Sequence, residues 1–112
     1  MVLAEQRDEK LRLHLVDGSF VDVWFSKSIP GRWAYHWKRR HIDGTLYRHD
    51  NRPHERYRHL RTYPKHFHMG SDEHVVESYL SDDPEEALRE FLTFIRAKLK
   101  GMGRDVRDRE VS

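Results

Sequence analysis

The chain contains no cysteine. Disulfides, a thiolate nucleophile and every zinc site built on thiolates are thereby excluded, and a reducing compartment such as the cytoplasm fits. Nor does the chain hold an apolar run near the roughly 18 residues that a bilayer span requires. Its opening, MVLAEQRDEKLR, lacks the apolar centre of a signal peptide. A soluble, cytoplasmic protein without a membrane partner is expected. Apolar residues are scarce, at 37% against 36% charged, and the chain has only 112 residues. That length supports one domain with one core and a polar surface. Net charge is also small, +2, but this near-balance conceals a strong segregation.

Residues 32–68 hold seven of the nine histidines, two of the three tryptophans, and ten lysines or arginines against three acids. The centre therefore carries +7 within a chain of +2, and the flanks are net acidic. Cations interleaved with aromatic rings suit a polyanion with stackable bases. Histidines in such a setting can move protons near neutral pH. The plainer reading of the same window is a set of solvated loop residues.

Leu11, Leu13 and Leu15 alternate with polar residues as in a strand, Asp17-Gly18 suggests a two-residue turn, and Val21, Val23 and Phe25 return. Residues 32–40 form a third strand with Trp33, Tyr35 and Trp37 on one face. Asp43-Gly44 suggests a second tight hairpin leading to Thr45–His49. Residues 50–64 read as an irregular loop, and 65–69 and 75–80 as further short strands. Asp83, Pro84 and Glu86 have the spacing of an N-cap, a first helical position and a capping box. Ala87, Leu88, Phe91, Leu92, Ile95 and Leu99 then give an apolar stripe, with Gly101 as C-cap. The predicted fold is α+β: an antiparallel meander of four or more strands with a C-terminal helix packed on one face. A single domain spans residues 1–103, followed by a charged tail, 104–112, expected to be disordered. His14, Asp22, His36 and Lys38 fall opposite the apolar face of their strands.

Three groups of residues can carry chemistry. His66 and His68 lie two apart, so both rings share a face of an extended strand. With His36, His49 or His54 they offer nitrogen ligands for zinc or nickel. No fixed metal-binding spacing such as HExxH accompanies them, so neither a metal nor another cofactor is expected. In the segment Arg48-His49-Asp50-Asn51-Arg52-Pro53-His54, Asp50 can orient a histidine and Arg48 or Arg52 can bind phosphate, although Asp-Asn also serves as ordinary turn chemistry. RNA cleavage without a metal needs this combination of a base, an acid and phosphate-binding cations. Trp33 and Trp37 read as core aromatics, Trp24 as core or base-stacking, and Arg39-Arg40-His41 as a solvated hairpin end.

Tyr35-His36-Trp37, Asp43-Gly44, the segment from Arg48 to His54, Thr62-Tyr63-Pro64-Lys65-His66-Phe67-His68 and Val75-Val76-Glu77-Ser78 occur in an order that resembles the TumE-like family of type II toxin–antitoxin proteins. The resemblance spans roughly residues 8 to 100. Tyr63 stands where the family commonly has Phe, and Arg52 where it commonly has a small residue. The resemblance implies a small toxin held inactive by a cognate antitoxin encoded beside it.

Combined with the basic, histidine-rich centre, this predicts a toxin acting on RNA, as a metal-independent endoribonuclease. The catalytic candidates are His36, Asp50, His54, His66 and His68, and the nucleic-acid-binding candidates are Lys38, Arg48, Arg52 and Lys65. The alternative is a non-catalytic RNA- or protein-binding module that inhibits growth by blocking a partner. A metal-dependent hydrolase is a third reading, recognisable by loss of activity with chelator.

Overall fold

The computed structural model describes the backbone of residues 3–7 and 9–111, and the side chains of residues 3–6 and 9–102. The chain forms two compact units, residues 1–79 and residues 80–112.

The first unit is a seven-stranded antiparallel sheet in which each strand pairs with the next. Its strands are β1 (Leu3–Arg7), β2 (Lys10–His14), β3 (Phe20–Phe25), β4 (Trp33–Arg39), β5 (Thr45–Asp50), β6 (His66–Gly70) and β7 (Val75–Glu77). The α+β meander expected from the sequence is thus present, with β1 as an additional edge strand. Segment 65–69 shifts by one residue to become β6, segment 75–80 shortens to β7, and β7 forms the second edge.

Both Asp-Gly connections differ from expectation, a two-residue turn at Asp17-Gly18 and a tight hairpin at Asp43-Gly44. Between β2 and β3, the Gly18 N–H donates to Leu15 O and the Leu15 N–H to Ser19 O, which closes a three-residue loop. Gly18 has φ 88°, a conformation glycine adopts without steric cost. Between β4 and β5 the chain makes one helical turn, α1 (Arg40–Asp43), capped by Gly44 in the left-handed region. Arg39, read from sequence as solvated, is buried. It bonds Asp17 and Asp43 and lies over the Trp37 ring, its guanidinium carbon 4.9 Å from the centroid. Sequence cannot foresee this, because Asp17 is 22 residues away.

Strand pleating sorts the side chains into two faces. One face carries Val21, Val23, Trp33, Tyr35, Trp37, Tyr47 and Phe67, all buried. Trp33 stacks on Tyr35 and Trp37 on Tyr47, with centroids 4.5 and 5.2 Å apart. The Trp37 indole donates to Ser19 Oγ at 2.9 Å, so its polar edge is satisfied inside the core. Burying rings of this size is the largest apolar contribution in the unit, on the order of 2–3 kcal/mol each.

The second unit is built on α2 (Pro84–Val111). Asp83 caps it: its carboxylate accepts the Glu86 N–H at 3.0 Å. The return half of the expected capping box is rerouted, since the Asp83 N–H donates to Ser81 Oγ and the Glu86 carboxylate accepts from that same hydroxyl. Ala87, Phe91 and Ile95 are buried, which places the core line of the stripe where its spacing predicts. The expected C-cap at Gly101 does not form, and α2 continues through it. The expectation for the tail, 104–112, lies outside the fully described residues.

Candidate functional site

The opposite face of the sheet is charged, and its strand register explains which residues meet. One row across the sheet runs Glu5, Arg12, Asp22, His36, Arg48, His68, Val75. The neighbouring row runs Lys10, Trp24, Ala34, Asp50, His66, Glu77. Directly opposed residues in adjacent strands have Cβ atoms about 4.5–5.5 Å apart. Asp50 is therefore set against His66, Arg48 against His68, and His36 against Arg48. Ala34, a methyl group between Trp24 and Asp50, leaves open space in front of the carboxylate.

That space is a cleft of about 470 Å³ whose lining includes Trp24, Ala34, His36, Lys38, Arg48, Asp50 and Arg52. A second depression of about 430 Å³ adjoins it and shares His36, Lys38 and Arg48 with it, adding Phe20 and His41.

Asp50 is only 3% exposed yet ionised. Burial alone would raise its pKa, but bonding to His66, the charge of Arg48 and the Arg52 N–H together lower it. Its Oδ1 lies 3.2 Å from His66 Nε2 and accepts the Arg52 N–H at 3.0 Å, while Oδ2 lies 3.1 Å from Arg48 Nε.

His66 and His68 are both buried. The Nδ1 of His66 lies 3.1 Å from Pro64 O, and that of His68 lies 3.0 Å from Asp72 O. A carbonyl only accepts, so each Nδ1 carries a proton and each Nε2 is directed to the same place. For His66 the Nε2 also faces an acceptor, the Asp50 carboxylate. For His68 burial lowers the pKa, opposed by the Asp72 carbonyl and reinforced by His66 and Arg48, so its Nε2 lone pair is available. The two rings meet edge to face with centroids 5.2 Å apart. Tyr57, on a short 3₁₀ turn (Glu55–Tyr57), covers them at 4.6 Å from His66 and 6.0 Å from His68. Tyr57 was not among the sequence candidates: its segment has no period, and nothing local signals that it folds back over β6.

His36 is held neutral. Burial and the neighbouring charges of Lys38 and Arg48 bring its pKa to about 4. Its buried Nε2 has no hydrogen-bond partner among the described residues. Asp22 was placed on this face from sequence, but its ties were not: it bonds Arg12 at 2.8 and 3.0 Å and Lys38 at 3.2 Å.

The structure thus brings together His36, Asp50, His66 and His68, with Lys38, Arg48 and Arg52 around them. His54 stands apart. It is exposed, its Nδ1 accepts the Arg56 N–H, and the Tyr57 ring lies next to it at 5.3 Å. Lys65 precedes β6, and its charge acts on His49, which belongs to the aromatic face. His49 is structural there: it stacks on Phe67 at 3.9 Å and its Nδ1 meets Ser78 Oγ at 2.7 Å. Ser78 in turn donates its N–H to Thr62 Oγ1, which donates to Lys65 O. These bonds fix the approach to β6 and so the direction of His66 and His68.

The family described as Toxin TumE matches residues 2–99, most of the chain. The protein belongs to the TumE toxin family. No curated protein matches the chain, and no solved structure does. Among the described residues no helix is long and apolar enough to cross a membrane.

Proposed function

We propose that this toxin works in the cytoplasm beside a cognate antitoxin and cleaves RNA as an endoribonuclease without a metal ion. The observation that carries the reading is the Asp50–His66 contact of 3.2 Å next to a second histidine with an available nitrogen. His68 Nε2 takes the proton of a ribose 2′-hydroxyl, and the resulting oxygen attacks the adjacent phosphorus. His66, in contact with Asp50, gives a proton to the departing 5′-oxygen. The products are a 2′,3′-cyclic phosphate and a 5′-hydroxyl. Lys38, Arg48 and Arg52 line the cleft and offset charge on the phosphorane. Neutral His36 lines the cleft beside these cations, and Trp24 offers a ring for a base.

The test uses end-labelled RNA with chelator present throughout. Cleavage is expected to leave cyclic phosphate ends and to stop when the scissile nucleotide lacks its 2′-hydroxyl. Growth inhibition is expected to vanish with His66→Ala while antitoxin binding persists. Toxicity that survives this change and instead declines stepwise as Lys38, Arg48 and Arg52 are removed would establish the binding-module reading.

A further inference from the structure

We infer that Asp50, His66 and His68 form a binding site for one divalent transition-metal ion of the zinc class, and that the bound ion shuts off the proton transfers proposed above. All three residues are buried, and one ligand atom from each lies within 4.8 Å of the others. Two imidazole nitrogens and one carboxylate oxygen are a donor set suited to zinc, cobalt or nickel.

The surroundings supply what a bare cluster of histidines lacks. Histidine ligands to metals usually donate their second ring nitrogen to a carbonyl or carboxylate, which fixes the tautomer and aims the first. Both rings are arranged in this way, through Pro64 O and Asp72 O at 3.1 and 3.0 Å. The carboxylate is prepared as well. Arg48 holds Oδ2 at 3.1 Å, so Oδ1 is the oxygen presented to the two rings. Zinc–nitrogen and zinc–oxygen bonds of about 2.0–2.2 Å require ligand atoms about 3.3–3.6 Å apart. The contact between His66 Nε2 and Asp50 Oδ1 is already 3.2 Å. An ion entering there displaces the proton between them to solvent and draws in His68 Nε2. Three protein ligands leave a fourth position for water, and of the three Asp50 lines the cleft.

The inhibitory sense follows from shared atoms and rests on the reading under Proposed function. The nitrogen that gives a proton and the nitrogen that takes one are the two that bind the ion. Occupied, the site has neither a base nor an acid.

The test uses the full chain without a polyhistidine tag, stripped of metal. Zinc is titrated against a chromophoric chelator, and cobalt is followed by its visible absorption. One equivalent per chain is expected, with a cobalt spectrum of low coordination number. His68→Ala and Asp50→Asn should weaken binding by at least about 100-fold, and His59→Ala, on an exposed ring, should leave it unchanged. The wild-type cobalt spectrum decides the matter even if a variant fails to fold. Absence of stoichiometric binding, or binding unaltered in a folded His68→Ala, overturns the site. RNA cleavage is measured in the same titration. Loss of cleavage at one equivalent supports the inhibitory role, and cleavage that requires the ion overturns that role and the metal-independent reading while the site stands. If neither form cleaves RNA, the endoribonuclease reading and the inhibitory role fall, and the metal site is judged by binding alone.

Discussion

The two faces of this sheet use the same strands for opposite ends. On the aromatic face most of the buried polar groups are closed: His49 meets Ser78, Trp37 meets Ser19, and Arg39 meets two carboxylates, while the Trp33 indole nitrogen alone among them has no partner among the described residues. On the charged face the corresponding polar groups are held but not closed. His68 has one nitrogen fixed and the other available, and the His36 Nε2 has no partner among the described residues. One side invests its polar atoms in holding the fold together. The other leaves reactive valences beside a cleft, the condition for chemistry on a bound molecule.

The sharpest way to test that contrast is to remove one ring from each face. His68→Ala is expected to reduce RNA cleavage by about 10²–10⁴-fold, as for loss of a general base, with the thermal midpoint nearly kept. Cleavage within a few-fold of wild type in that variant would erase the distinction. On the other face, Trp37→Ala is expected to cost about 3–5 kcal/mol as a buried aromatic truncation, read from urea unfolding. A midpoint that does not move would show that this face is not the core.

The next effect lies in acid stability. His36 and His49 have pKa values lowered by burial to about 4 and about 3, against an ordinary 6.5. Between those values the unfolded chain binds protons that the folded chain refuses, so stability falls as pH drops below about 6.5. The slope is at most about 1.4 kcal/mol per pH unit for each group, and it is weaker for the half-buried His36, where solvent screens charge. Unfolding midpoints recorded from pH 7 to pH 4 check this, and His49→Asn should flatten the curve more than His36→Asn. The smallest effect belongs to the cleft rim. Arg52→Ala should lower the salt dependence of RNA binding by about one phosphate contact, while Arg58→Ala, outside the cleft, should not.

Much of this was legible in the primary structure. Alternation in HLVDGSFVDVWF and WAYHWKR gave the central strands and their faces. The pair His66 and His68, two residues apart, already implied a shared side. The misses have physical reasons. The sequence LAEQR of β1 has no alternation of apolar and polar residues, and a strand at an edge need not have one. Arg39 looks solvated because one of its two carboxylates, Asp17, comes from another turn. His54 reads like a third catalytic ring because sequence cannot show that Tyr57 lies beside it and covers His66 and His68. Lys65 is one residue from His66, and in an extended chain one residue is enough to change sides.

The two carbonyls that aim His66 and His68 belong to the loops on either side of β6, at Pro64 and Asp72. They are main-chain atoms, and every amino acid has one. Substituting the Asp72 side chain leaves the aiming oxygen in place, so a scan that exchanges residues one by one will pass over that position, whereas before β6 the Thr62 hydroxyl, bonded to Lys65 O and the Ser78 N–H, also holds the approach. Adding or deleting a single residue there is different, because it shifts the oxygen relative to its ring. The length of the two loops is thus part of the site, as much as the rings they aim.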